Sequence, residues 1–254
     1  MKPLYPPTPR RLLGAAALLC ALGLTGWAAA PPPTPAASPA PTASPAPSPA
    51  PTATPEPPDI PIDFAALQAQ NPDAYGWILI PGTLVDDPLL QHAEQNDYYL
   101  EHTLEGKPGL PGALYTRNDT PRDFSAPCTI VYGHNMADGS MFGSLHRYEN
   151  SDFFADETNR TVRTYTPNSS REWTIFAAVE YPGVLLTYAF DFSQPAEVER
   201  FIAELAAAPR GFFDPDVPAD GASRLLVLST CVTGGREDYR YLVAAVLTGE
   251  QVAP

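Results

Sequence analysis

Cys231 and Arg240 stand nine residues apart within LLVLSTCVTGGREDYRYLVAAVL, residues 225–247. An apolar run leads to the cysteine, a polar loop with two glycines follows, and the arginine opens a second apolar run. Runs of this length bounded by turn signals read as two buried strands, with Cys231 at the tip of one and Arg240 at the start of its neighbour. A thiol on a rigid strand end beside a fixed guanidinium is a nucleophile next to an oxyanion or substrate clamp. The acid–base group that such a pair requires must come from elsewhere. Among the four histidines the candidate is His134, in VYGHNM at residues 131–136. A strand-end cysteine, a histidine or a strand-start arginine taken singly is most often structural. Only the combination carries chemistry.

The elements that must hold these residues can be read in order. Asp63 to Gln70 reads as a short helix with Asp63 as its N-cap and Phe64 and Leu67 on one face. Tyr75 to Ile80 reads as a strand, and Asn96 to His102 as a helical turn presenting Tyr98, Tyr99 and Leu100. Short strands are expected at Ala113–Thr116 and Cys128–Tyr132, and helical turns at Met141–Tyr148 and Ser151–Ala155. Thr161–Thr166 and Glu172–Tyr181 follow as strands. In the second, Trp173, Ile175, Ala177, Val179 and Tyr181 alternate with more polar positions, so one face is expected to be buried. Gln194 to Ala207 is the clearest helix, with Val198, Phe201, Ile202 and Leu205 on one stripe and Ser193 as the cap. Many short strands and few helices predict a mostly β, mixed α+β, barrel-like domain.

That domain spans residues 59–254, about 195 residues, enough for one full core. What precedes it has a different composition. Residues 1–11 carry Lys2, Arg10 and Arg11, and residues 12–30 are apolar and uncharged. A helix over 12–30 would span about 28 Å, close to a bilayer core. No Lys or Arg follows Arg11 until Lys107, which places residues 1–11 in the cytoplasm and the remainder outside, on a single-pass signal-anchor. A cleaved signal peptide is the competing reading, since Ala28-Ala29-Ala30 fits a cleavage site, although Pro31 follows it directly. Residues 31–58 are almost wholly Pro, Ala, Thr and Ser with Glu56 the one charge, a composition that buries no core and favours an extended spacer of roughly 85 Å. The formal net charge is -14, and the basic residues before residue 12 leave the rest more acidic still, with no basic stripe for nucleic acid. Cys20 falls in the apolar segment. Cys128 and Cys231 form neither a disulfide framework nor a metal-ligand pattern, although a single Cys128–Cys231 bridge would consume the nucleophile.

LSTC with an arginine nine residues on, together with the upstream YGHNMADGSMF at 132–142, resembles the sortases, extracellular cysteine transpeptidases of Gram-positive bacteria, and class B in particular. NPDAYGWI, IPGT and QNDYYL between Asp63 and Leu100 are similar to the class B N-terminal region, so the likeness covers about residues 60–248. The resemblance implies an eight-stranded sortase-type β-barrel with N-terminal helices and a helix before the strand leading to the cysteine, where Gln194–Ala207 falls. It implies that Cys231 as thiolate attacks the carbonyl of a Thr in a C-terminal sorting signal. His134 then protonates the departing amine and deprotonates the incoming one, and Arg240 holds substrate and oxyanion. Arg236, in the glycine loop, is the rival for the arginine role. Asn96, Leu100, Ser229 and Thr230 occupy positions resembling the class B substrate pocket. His92, His102 and His146 match no family motif and are expected at the surface. Val232 stands where class B members often carry a polar or charged residue. No cofactor or metal is implied, since the Ca²⁺ activation of other classes would need an acidic cluster that the sequence does not concentrate. The implied partners are surface proteins bearing a sorting signal and an amine, either a peptidoglycan precursor or a pilin lysine. A non-catalytic wall-binding module and a plain exported cysteine hydrolase are the alternatives.

Overall fold

In the computed structural model, residues 58–234 and 236–253 are described. The expected cytoplasmic segment, signal-anchor and all but the last residue of the spacer lie outside them. Among the described residues, no helix is long and apolar enough to cross a membrane.

Nine strands form one sheet: β1 (Ala74–Leu79), β2 (Asp86–Leu90), β3 (Leu114–Tyr115), β4 (Cys128–Tyr132), β5 (Thr161–Thr166), β6 (Ser169–Pro182), β7 (Gly211–Phe213), β8 (Leu225–Cys231) and β9 (Tyr239–Val252). Their order is β5-β1-β2-β3-β4-β8-β9-β6-β7. Because β5 also pairs with β6, eight strands close on themselves, and β7 lies outside the ring as a flank on β6. Closure removes the exposed edges that an open sheet would offer. The pairings β2–β3 and β4–β8 are parallel and the rest antiparallel, so the mostly β, mixed barrel is as expected.

Trp173, Ile78, Leu89, Val131, Leu226, Val243 and their neighbours fill the barrel interior. A second apolar layer forms where α4 (Pro195–Ala206), which follows α2 (Ser151–Ala155) and α3 (Leu186–Ala189) in the chain, lays Val198, Phe201 and Leu205 on the outside of β6, β8 and β9. Hence β6 is buried on both faces across Ile175–Val179, not on one: α4 covers the outer face, and a register shift between Ile175 and Ala177 breaks the alternation. Ser193 does not cap α4. Gln194 takes that position with no side-chain bond, while the Ser193 hydroxyl donates to Asp191 at 2.6 Å. At the other end of the domain α1 (Phe64–Gln70) begins as expected, with Ala66 N–H donating to Asp63 at 3.0 Å. It is the α-helix ahead of β1 among the described residues, and it packs with the Tyr98–Leu100 3₁₀ turn against Ala74, Leu90 and Tyr115.

Candidate active site

The strand register assembles the three residues singled out by the sequence. β8 and β9 are antiparallel, and Cys231 lies directly opposite Arg240. β4 and β8 are parallel, with Tyr132 beside Ser229. His134 and Cys231 each lie two residues beyond that pair, so both reach the same rim. Three neighbouring strands at spacings of about 4.8 Å therefore bring histidine, cysteine and arginine to one rim, with the cysteine in the middle.

They line a cleft of about 330 Å³ together with Leu100, Tyr115, Tyr132, Gly133, Gly183, Val184, Leu185, Ser229 and Thr230. Cys231 is exposed and its thiol is free. His134 Nε2 donates to the Leu100 carbonyl at 2.7 Å. A carbonyl only accepts, so the Nε2 proton is fixed and Nδ1 is left as the ring atom open to proton exchange. The Tyr98–Leu100 turn thereby orients the histidine. Arg240 Nη1 donates to the carbonyls of Glu237 and Tyr239 at 2.9 and 2.8 Å, which tethers one end of the guanidinium to the loop that follows the cysteine. Ser229 and Thr230, which precede Cys231 on β8, are buried, and the Thr230 hydroxyl has no hydrogen-bond partner among the described residues. Tyr115 and Tyr132 stack at 5.5 Å along one wall. Burial lifts the phenol of Tyr115 to about 12 and that of Tyr132 further, so both stay neutral in working conditions.

The rival and secondary candidates fall elsewhere. Arg236 is ion-paired with Glu180 and lies over the Tyr239 ring, 4.6 Å from its centre, and it does not line the cleft. Asn96 does not line it either; its side chain accepts from Asn118 N–H at 2.8 Å and shapes a surface loop. Cys128 is free as well. It pairs with Leu225 at the start of parallel strands whose far end carries Cys231, about 20 Å away along the strand, far beyond disulfide reach. Burial pushes the Cys128 thiol well above its ordinary range, which disfavours the reactive thiolate. Val232 is buried in the barrel core, and an apolar residue suits that place.

The three remaining histidines are half-buried, and each stacks on a tyrosine ring. Tyr98 is stacked between His92 at 4.4 Å and His102 at 3.8 Å. His146 comes from the 3₁₀ turn Gly143–Glu149. Its Nε2 donates to the Cys231 carbonyl at 3.0 Å, and its ring stacks on Tyr241 at 4.7 Å. Asn135 donates to the same carbonyl at 3.2 Å. The signal for Asn135 was its place after His134. For His146 it was a carboxylate three residues on, which a helical turn brings alongside.

An exposed thiol, an oriented imidazole and a tethered guanidinium around one cleft can form and resolve a thioester, the chemistry of a cysteine acyl transferase. No family model matches the chain. Sortase B from Listeria monocytogenes serovar 1/2a is 31% identical over 173 residues, 68% of each chain. The crystal structure of sortase B from Clostridium perfringens superposes with a TM-score of 0.65 at 25% identity, covering 74% of this chain and all of that one. A sortase B complexed with triglycine superposes at 0.63 with 25% identity, covering 73% of this chain and 85% of that one. The fold and these likenesses define a cysteine transpeptidase. The chain belongs to the sortase B family.

Proposed function

We propose that Cys231 is the nucleophile, His134 the acid–base and Arg240 the oxyanion and substrate clamp of a transpeptidase that joins surface proteins to the cell wall. The observation that carries this is the rim register, which sets Arg240 opposite Cys231 and His134 level with it around one cleft. The Cys231 sulfur adds to the carbonyl carbon of Thr in a C-terminal sorting signal. The tetrahedral oxyanion faces Arg240, the C–N bond breaks, and His134 gives its proton to the departing amine. The thioester is then attacked by a second amine, whose proton returns to His134, and the Cys231 thiolate is released. Leu100, Ser229 and Thr230 line the cleft and serve the signal peptide. The solved complex of a sortase B with triglycine supports a glycine amine of a peptidoglycan precursor as acceptor. A pilin lysine is the alternative amine. The apolar segment 12–30 anchors the chain with its N-terminus in the cytoplasm, and 31–58 spaces the catalytic domain from the outer face of the membrane.

The full chain, incubated with peptides of the Asn-Pro-x-Thr and Ser-Pro-x-Thr types and a Leu-Pro-x-Thr control, should gain an acyl mass on Cys231. Triglycine should discharge it as ligated peptide, faster than a lysine-bearing peptide does. Cys231→Ala should leave no acyl adduct and less than about one part in a thousand of the turnover. An adduct or turnover that survives Cys231→Ala overturns the assignment.

A further inference from the structure

Cys231 is the last residue of β8, and its pairing with Arg240 is the last rung before both strands enter a loop. A strand end of this kind has no further rung beyond it to hold the backbone. Its carbonyl nonetheless receives two donors, Asn135 Nδ2 at 3.2 Å and His146 Nε2 at 3.0 Å. Asn135 is the residue after His134, so the first bond ties the nucleophile's backbone to the acid–base segment. The second comes from a ring that is fixed from three directions. Tyr241 stacks beneath it at 4.7 Å, Glu149 Oε1 lies 2.6 Å from Nδ1, and the Thr233 hydroxyl lies 3.2 Å from the same nitrogen. Tyr241 is itself buried in the barrel core next to Arg240 in sequence, so the ring rests on a rigid floor. The His146 side chain is 12% exposed, although it belongs to a polar surface turn.

We infer that His146, aligned by Glu149 and Tyr241, is a positioning residue that holds the Cys231 backbone, and with it the thiol, in register with His134 and Arg240. The inference rests on Cys231 being the nucleophile. Reactive geometries tolerate little displacement: about 1 Å of error costs on the order of a hundredfold in rate. Losing one of two donors at a strand end is a smaller disturbance, and a drop of about tenfold in kcat is expected.

The test compares His146→Phe, which keeps a ring on Tyr241 and removes the donor, with His146→Gln, whose amide nitrogen reaches the Nε2 position. Both are made in the full chain. The readouts are kcat and KM for transfer of the sorting peptide to triglycine, and the rate of Cys231 alkylation by iodoacetamide. His146→Phe should lower kcat about tenfold with KM within about twofold, and slow alkylation in parallel, while His146→Gln stays within about threefold of the parent on all three. A Phe variant with unchanged kcat, or a Gln variant as impaired as Phe, overturns the inference. Should His146→Phe not fold, Glu149→Gln replaces it, since it loosens the ring without touching the core; kcat unchanged there is equally an overturning result. Alkylation needs no sorting peptide, so it reads the positioning even if the peptide chemistry proposed above fails. Turnover surviving in Cys231→Ala marks that separate failure.

Discussion

Two arginines compete for one role in the loop after the nucleophile, and their surroundings separate them. Arg236 is spent on Glu180 and Tyr239, whereas Arg240 sits across the ladder from Cys231 with one nitrogen tethered to the Glu237 and Tyr239 carbonyls. A guanidinium offers a planar fork that an ammonium cannot reproduce. Arg240→Lys should therefore lower kcat/KM about a hundredfold or more, and Arg236→Lys by less than about threefold, in steady-state transfer to triglycine. The reverse ranking would hand the clamp to Arg236. At this scale the sequence was readable wherever a residue's position follows from strand arithmetic. Cys231 and Arg240 end and begin apolar runs, so their pairing across a hairpin could be foreseen. The placement of His146 could not, because it depends on a 3₁₀ turn folding back over Tyr241, a contact between residues far apart in the chain. Asn96 shows the opposite case: a residue in a legible stretch, QNDYYL, whose side chain turns to the Asn118 backbone instead of the cleft.

The strands that carry the site are held at their ends by tight packing, and Gly133 is the clearest example. A Cβ there would lie 2.3 Å from Leu114 Cδ2 and 2.9 Å from Phe142 Cδ2, both in the barrel core. Gly133→Ala must push β4's end outward and take His134 with it. The expected cost is about 1–3 kcal/mol of stability in urea unfolding, with kcat reduced at least about tenfold in the fraction that remains folded. Unaltered stability would show that the Leu114 and Phe142 side chains can move aside without cost. Elements that announce themselves by apolar runs or periodicity, such as α4, β4 and β8, were legible to within a residue at their ends, whereas β9 runs on to Val252, past the Leu247 where its apolar run stops. The misses have identifiable causes. β2, Asp86–Leu90, opens with two aspartates and contains Pro88, which argues against a strand. Yet β3 covers only Leu89 and Leu90, so at Pro88 the strand has β1 alone as neighbour, and no donor is needed on its open side. β6 misled in another way, since a helix distant in sequence covers the face that its polar positions suggested was wet.

Closing a barrel places charged residues between its strands, and two such ion pairs contribute to the response of the fold to acid. Arg160, just before β5, is buried and paired with Asp214, just after β7; Arg171 on β6 is buried and donates to Glu250 on β9 at 2.7 Å. The hydrogen-bonded Arg160 guanidinium holds the Asp214 carboxyl below its ordinary range, and Arg224, with Arg171, does the same for Glu250. A carboxylate whose folded pKa is depressed releases its proton more readily in the folded state than in the unfolded chain. Its contribution is therefore complete above the unfolded value, near 4, and is lost as pH falls through the lower folded value. Asp214→Asn should then cost about 2 kcal/mol at pH 7, because it leaves a buried guanidinium short of its partner, and progressively less below about pH 4, where the parent loses the same charge. Urea unfolding of parent and variant at neutral and acid pH measures both gaps. Equal gaps at the two pH values would mean that Asp214 acts through its hydrogen-bond shape and not its charge, and this part of the fold would then owe its strength to packing of Phe154 on Phe212, 5.4 Å apart beside the same arginine.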